Sequence, residues 1–186
     1  MTPRTRRVVV TVVTLAILQG LAIVGYVLAT REPAGPGEFR FEPLSARPTA
    51  PIQIETAART LEMFEGSSDR VTLVHFWATW CKPCRNELPG LLAEAASLDP
   101  EVRLVAIAVD DSWPAIESFF APGKTSPAIV RAADAEGPRR WGATELPDTY
   151  VVDRRGQIVE RYLGARDWSS TAAELHLRQL AQRLSR

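Results

Sequence analysis

Two stretches of the chain, Val71–Trp77 (VTLVHFW) and Val102–Val109 (VRLVAIAV), are apolar at almost every position. That is the pattern of central strands covered on both faces, and the second reads as a parallel neighbour of the first. Between them Leu88, Leu91, Leu92, Ala95 and Leu98 recur at helical spacing, predicting a helix over 87–98 with Pro89 near its start. Asp110-Asp111-Ser112 caps a short helix with Pro114 in its first turn and Ile116, Phe119 and Phe120 on its inner side. Ser126–Val130 reads as a short strand, and the polar run Asp134–Gly142 as one helical turn stopped by Gly142. Strands Thr149–Val152 and Gln157–Leu163 are joined by Asp153-Arg154-Arg155-Gly156, a hairpin signature. After Ser169 and Ser170, Ala173, Leu177, Leu180 and Leu184 make one stripe of a closing helix. Upstream, Ile52–Ile54 suggests a brief strand. Thr56 reads as the N-cap of a short helix carrying Leu61 and Phe64 and ended by Gly66. The order βαβαβα–ββα predicts an α/β domain over 52–186, with a mixed central sheet and helices on both faces.

The N-terminal pattern differs. Residues 1–7 carry Arg4, Arg6 and Arg7 without an acid, and residues 8–29 carry no charge at all. A helix of that length crosses a bilayer core, and the basic tail orients it with everything after Ala29 outside the cytoplasm. The expectation is an uncleaved transmembrane signal-anchor. The alternative is a cleaved signal peptide, whose apolar region is usually shorter, roughly 7–15 residues. Residues 30–51 hold Pro33, Pro36, Pro43, Pro48 and Pro51 and read as a stiff spacer, with Phe39 and Phe41 as a possible edge strand.

Composition narrows the function classes. The 186 residues contain 22 basic and 22 acidic side chains, so no net charge or basic stripe points to nucleic acid. The two cysteines are Cys81 and Cys84, in Cys81-Lys82-Pro83-Cys84 at the strand-to-helix junction after Trp77. A pair so spaced at a helix mouth is a redox dithiol. Unpaired helix N–H groups and the macrodipole favour a thiolate on Cys81, the candidate nucleophile. Cys84, one turn inward, is the candidate resolving thiol. A closed zinc site needs roughly four ligands, and the two histidines, His75 and His176, lie in a strand and in the last helix. No metal and no bound cofactor are therefore expected. Peroxidase chemistry would want a TPxC-like segment, which Ala78-Thr79-Trp80 does not supply. His75, inside the apolar strand, is a core histidine or a proton-transfer group. Trp80 beside the dithiol is a candidate for the docking surface.

The segment FWATWCKPCRNELP resembles the active-site segment of the TlpA/ResA-like thiol-disulfide oxidoreductases, membrane-anchored members of the thioredoxin superfamily related to the CcmG/DsbE type. Glu145-Leu146-Pro147-Asp148-Thr149-Tyr150 resembles the same family's cis-proline segment. The resemblance covers roughly residues 52–186. It implies a thioredoxin-like fold, a cis Pro147 facing the dithiol, substrate contacts at Leu146 and Pro147, and a proton-handling role for Glu87. It differs at His75, where thioredoxins carry a buried aspartate, and at Asp148, which reads as loop polarity or a charge filter for partners.

The leading expectation is thus an enzyme: a tethered thiol-disulfide oxidoreductase outside the cytoplasmic membrane, most simply a reductase of protein disulfides. Its compartment being oxidising, it would draw electrons from a membrane thiol carrier of the CcdA/DsbD type. Apocytochrome c haem-site cysteines or copper-site thiols are the substrates the resemblance suggests. The rival classes are a copper or haem chaperone using the CxxC as ligands, and a disulfide-introducing oxidase.

Overall fold

The structure is a computed structural model that describes residues 16–17, 19–20, 39, 41–109 and 112–184. By its contacts the chain divides into Met1–Glu38 and Phe39–Arg186. In the first unit residues 16, 17, 19 and 20 are helical. The rest of the predicted span 8–29, the basic tail 1–7 and residues 30–38 of the spacer lie outside the described residues. Among the described residues no helix is long and apolar enough to cross a membrane.

The second unit is built on one eight-stranded sheet in the order β1-β8-β7-β4-β5-β6-β2-β3. Its strands are β1 (Glu42–Pro48), β2 (Ile52–Glu55), β3 (Leu61–Phe64), β4 (Val71–Trp77), β5 (Val102–Ala108), β6 (Ile129–Ala132), β7 (Asp148–Val152) and β8 (Gln157–Leu163). Among the described residues four helices accompany them: α1 (Lys82–Ser97), α2 (Trp113–Phe119), α3 (Glu136–Trp141) and α4 (Thr171–Leu184). β4 pairs in parallel with β5 and β5 with β6, while β4–β7 and β7–β8 are antiparallel. Successive side chains of a strand point to opposite faces, and every residue of β4 is buried, so both faces of the sheet centre are covered. Leu88, Leu91 and Ala95 of α1 and Ala173, Leu177 and Leu180 of α4 contribute apolar cover.

Local chemistry sets most boundaries where the sequence placed them. Ser112 Oγ accepts from Ala115 N at the start of α2, Ser170 Oγ from Ala173 N at the start of α4, and Gly142 ends α3 at φ 90°. α3 then carries Trp141 inward, where its indole stacks on Phe64, meets Phe76 and Tyr150 edge-on, and donates to Ala50 O at 2.7 Å.

Four expectations are corrected. The helix predicted from Thr56 is a hairpin. Ile52 and Ile54 bury one face against Phe64, Leu61–Phe64 pair antiparallel with β2, and the turn closes through Thr56 N donating to Thr60 O. Helical spacing of Leu61 and Phe64 misled because only Phe64 is buried. The spacer predicted to run to residue 51 ends sooner, since Glu42–Pro48 add to β8 as an edge strand, where prolines are tolerated. Ahead of it Phe39 packs on Tyr162 and Trp168 with centroids 5.1 Å from each, so the folded unit starts before residue 52. The helix after the dithiol begins at Lys82 rather than residue 87 and runs through Pro89, and the strand predicted at 126–130 lies at 129–132.

Candidate active site

The sheet centre aims its C-terminal end at the dithiol. β4 stops at Trp77, whose carbonyl accepts from Val109 N at 2.8 Å, and the chain turns through Ala78–Trp80 with Cys81 N donating to Ala78 O. Cys81 is the N-cap of α1, with Pro83 in the first turn, where the missing N–H costs nothing. Its Sγ accepts from Cys84 N at 3.3 Å, and the two sulfurs are joined as a disulfide. The pair is asymmetric: Cys81 is 6% exposed and Cys84 fully buried. Incoming chemistry therefore meets Cys81 first. Lys82, Pro83 and Arg85 are exposed around it, and Trp80 is 63% exposed.

A groove of about 760 Å³ opens at this point, and Trp80, Cys81, Pro83 and Leu146 all line it. The Leu146–Pro147 peptide is cis. Pro147 is buried, and its carbonyl accepts from Gly164 N at 2.9 Å, which ties this loop to the segment following β8. Leu146, far from Trp80 and Cys81 in the sequence, thus lines the same groove as they do.

Glu87 and His75 form a buried polar pair. Glu87, one turn beyond Cys84 on α1, has a side chain only 3% exposed. Its Oε2 accepts from Arg166 N at 2.5 Å, and its Oε1 faces His75 Nε2 at 3.7 Å. Burial pushes the Glu87 carboxyl up to about 7; the Arg166 N–H, the Arg166 charge and the Trp168 indole oppose that without cancelling it. Burial also pushes His75 down to about 3, so the imidazole is neutral. His75 Nδ1 pairs with Thr149 Oγ1 of β7 at 2.9 Å.

The structure pairs Glu87 with His75, joins Cys81 to Cys84 one turn earlier on α1, and sets Trp80 and Leu146 along the groove that Cys81 lines. Asp148 belongs to neither of its expected roles. It is fully buried, bound by Arg161 Nε and Nη2 at 3.0 and 2.8 Å and by Tyr150 O–H at 2.7 Å, and holds β7 to β8. Sequence reasoning missed Thr149, Arg166 and Trp168. Their part comes from a backbone N–H and from strand pairing (His75 lies opposite Thr149), signals that no motif carries. His176 is remote in role: its Nε2 meets Glu160 Oε2 at 2.8 Å beside Tyr162. Among the described residues no cluster of His, Cys, Asp and Glu is arranged to hold a metal ion.

The family model described as Redoxin matches residues 53–176, which take in both cysteines, Glu87, His75 and Pro147. The chain belongs to the Redoxin family. Among the relatives it matches, a thiol:disulfide interchange protein DsbE homolog from Paracoccus denitrificans is 37% identical over 97 residues, covering 50% of this chain and 51% of that protein. The thiol-disulfide oxidoreductase ResA of Bacillus subtilis is 25% identical over 111 residues, covering 59% and 62%. The chain spans about half the length of the first of these relatives. A DsbF homologue from Corynebacterium diphtheriae has the same fold, with a TM-score of 0.59 at 20% identity, covering 83% of this chain and 97% of that one.

Proposed function

We propose that this Redoxin-family chain is a thiol-disulfide oxidoreductase that works as a reductase of protein disulfides. The observation that carries the reading is the Cys81–Cys84 disulfide at the mouth of α1, with the outer sulfur opening on a groove and the inner one buried beside Glu87. Relatives named as thiol:disulfide interchange proteins and oxidoreductases support it.

In the reduced state the Cys81 thiolate attacks one sulfur of a substrate disulfide. A mixed disulfide forms, and the first substrate sulfur leaves as a thiolate. Cys84 then loses its proton to Glu87 and attacks Cys81 Sγ, expelling the second substrate thiolate. Two electrons have passed to the substrate, and the dithiol is left as a disulfide. A donor dithiol restores it by the same exchange in reverse. Glu87 suits the proton step because burial sets its affinity near neutrality, where a group both takes and returns a proton readily. Trp80, Leu146 and Pro147 bind the extended substrate segment around the sulfur.

The tether, location and partners belong to the same proposal. Residues 8–29 anchor the chain in the cytoplasmic membrane, with the domain on the extracytoplasmic side. The donor is a membrane dithiol carrier of the CcdA/DsbD type, and the substrates are apocytochrome c haem-site cysteines or copper-site thiols. The testing experiment is the equilibrium potential of the Cys81–Cys84 pair against glutathione. A reductase is expected near the thioredoxin value of about −270 mV, whereas a value near the about −120 mV of DsbA makes the chain an oxidase.

A further inference from the structure

Three buried polar atoms around the Glu87 carboxyl have no hydrogen-bond partner, His75 Nε2, Glu87 Oε1 and Trp168 Nε1, and the first two face each other at 3.7 Å. Leaving such an atom unsatisfied inside a protein costs about 1–3 kcal/mol. A single proton satisfies the first two, because a protonated Oε1 donates to a neutral Nε2 once side-chain rotation closes the gap by roughly 0.8 Å to ordinary hydrogen-bond length. The tautomer decides the donor: with Nδ1–H donating to Thr149 Oγ1 a protonated Glu87 donates to Nε2, whereas with Nδ1 accepting from the Thr149 hydroxyl Nε2–H donates to an ionised Glu87. Glu87 Oε2 is already taken by Arg166 N, so Oε1 is the oxygen left to carry the proton. His75 Nδ1 is taken by Thr149 Oγ1, and with Nδ1–H donating there, Nε2 presents its lone pair.

We infer that His75 is a positioning residue for the redox reaction: held by Thr149 on β7, it receives on Nε2 the hydrogen bond of the proton that Glu87 takes from Cys84. The step balances. Forming the Cys81–Cys84 disulfide releases the Cys84 proton, Glu87 takes it on Oε1, and no charge is left on the buried pair. Attack by a donor dithiol breaks the disulfide, and the same proton returns to Cys84 Sγ. The imidazole itself stays neutral in both states, in keeping with its complete burial. The groups set against the carboxyl are His75 on β4, and the Arg166 N–H and guanidinium and the Trp168 indole on the segment before α4, while Cys84 precedes it by one turn of α1. Of these only His75 accepts a hydrogen bond from a protonated acid, so it alone raises the proton affinity of Glu87 by bonding. The inference rests on the reading of Glu87 as proton carrier.

The test uses the oxidised full chain in detergent, with nitrogen-15 in histidine and carbon-13 in the glutamate carboxyls. The His75 spectrum is expected to show the tautomer protonated on Nδ1. The Glu87 midpoint is expected to fall by about one pH unit, a tenfold loss of proton affinity, in His75→Phe, and to recover in His75→Gln, whose amide oxygen accepts. A merely structural histidine predicts the opposite sign, since an apolar ring dries the carboxyl further and raises its midpoint. A tautomer protonated on Nε2 overturns the inference without any variant, and so does an unchanged or raised midpoint in His75→Phe. The pH profile of thiol alkylation in reduced Glu87→Gln separates the two claims. A changed profile with an unmoved His75→Phe midpoint sinks the histidine's role alone, and an unchanged profile sinks the glutamate's role and the histidine's with it.

Discussion

Replacing Glu87 by glutamine should make the oxidised protein more stable in alkaline solution. The side chain is 3% exposed, and burial moves its carboxyl from 4.5 to about 7. An acid whose folded pKa is raised binds more protons in the native than in the unfolded state between those two values, so folding weakens as pH rises through that window. At about 1.36 kcal/mol per pH unit the full loss is about 3 kcal/mol, complete above pH of about 7. His75 acts with the opposite sign. Its folded pKa is depressed to about 3 from 6.5, so its neutral burial costs stability as pH falls through that range. Comparing wild type with Glu87→Gln at each pH cancels the histidine. Glutamine keeps an oxygen for the Arg166 N–H and carries no charge, so it imitates the protonated acid. Urea unfolding of the oxidised full chain should give similar stabilities for the two proteins at pH 5, and a variant more stable by up to about 3 kcal/mol at pH 8. A gap that is the same at both pH values, or a variant that is weaker at pH 8, refutes the argument that desolvation governs this carboxyl.

Other perturbations test the frame around the site. Asp148→Ala strands Arg161 and Tyr150 at the β7–β8 pairing; unfolding should show a loss of about 3–5 kcal/mol, as for other broken buried ion pairs. Trp141→Ala empties the space between Phe64, Phe76 and Tyr150, and should lower stability by about 3–5 kcal/mol in the same assay while Cys81 alkylation stays unchanged. Reporter fusions after Arg31 should be active only on the extracytoplasmic side, and activity confined to the cytoplasm would contradict the topology read from Arg4, Arg6 and Arg7.

What the sequence revealed of this molecule follows the physics of each element. β4 and β5 were legible because strands buried on both faces are apolar throughout, and α4 because its stripe repeats at helical spacing. The dithiol was legible because two cysteines and a proline at a helix mouth have few other uses. β1 and the β2–β3 hairpin were not, since edge strands bury little. Glu42–Pro48 is mostly exposed, and Leu61, Glu62 and Met63 leave only Phe64 to mark β3. Asp148 misled because its partner Arg161 lies on another strand, and pairing across strands sets no local pattern. The same limit hid the Thr149–His75–Glu87 line, which three separate elements assemble.

The central claim is that disulfide exchange runs through Cys81 with Cys84 as resolver, and trapping tests it most directly. Reduced full-length Cys84→Ser and Cys81→Ser are each mixed with a protein disulfide, quenched in acid and weighed by mass spectrometry. The asymmetry of the pair, Cys81 at the groove and Cys84 fully buried, predicts a covalent adduct on Cys81 in Cys84→Ser and none in Cys81→Ser. An adduct formed through Cys84 in Cys81→Ser, or none in either variant, contradicts the account.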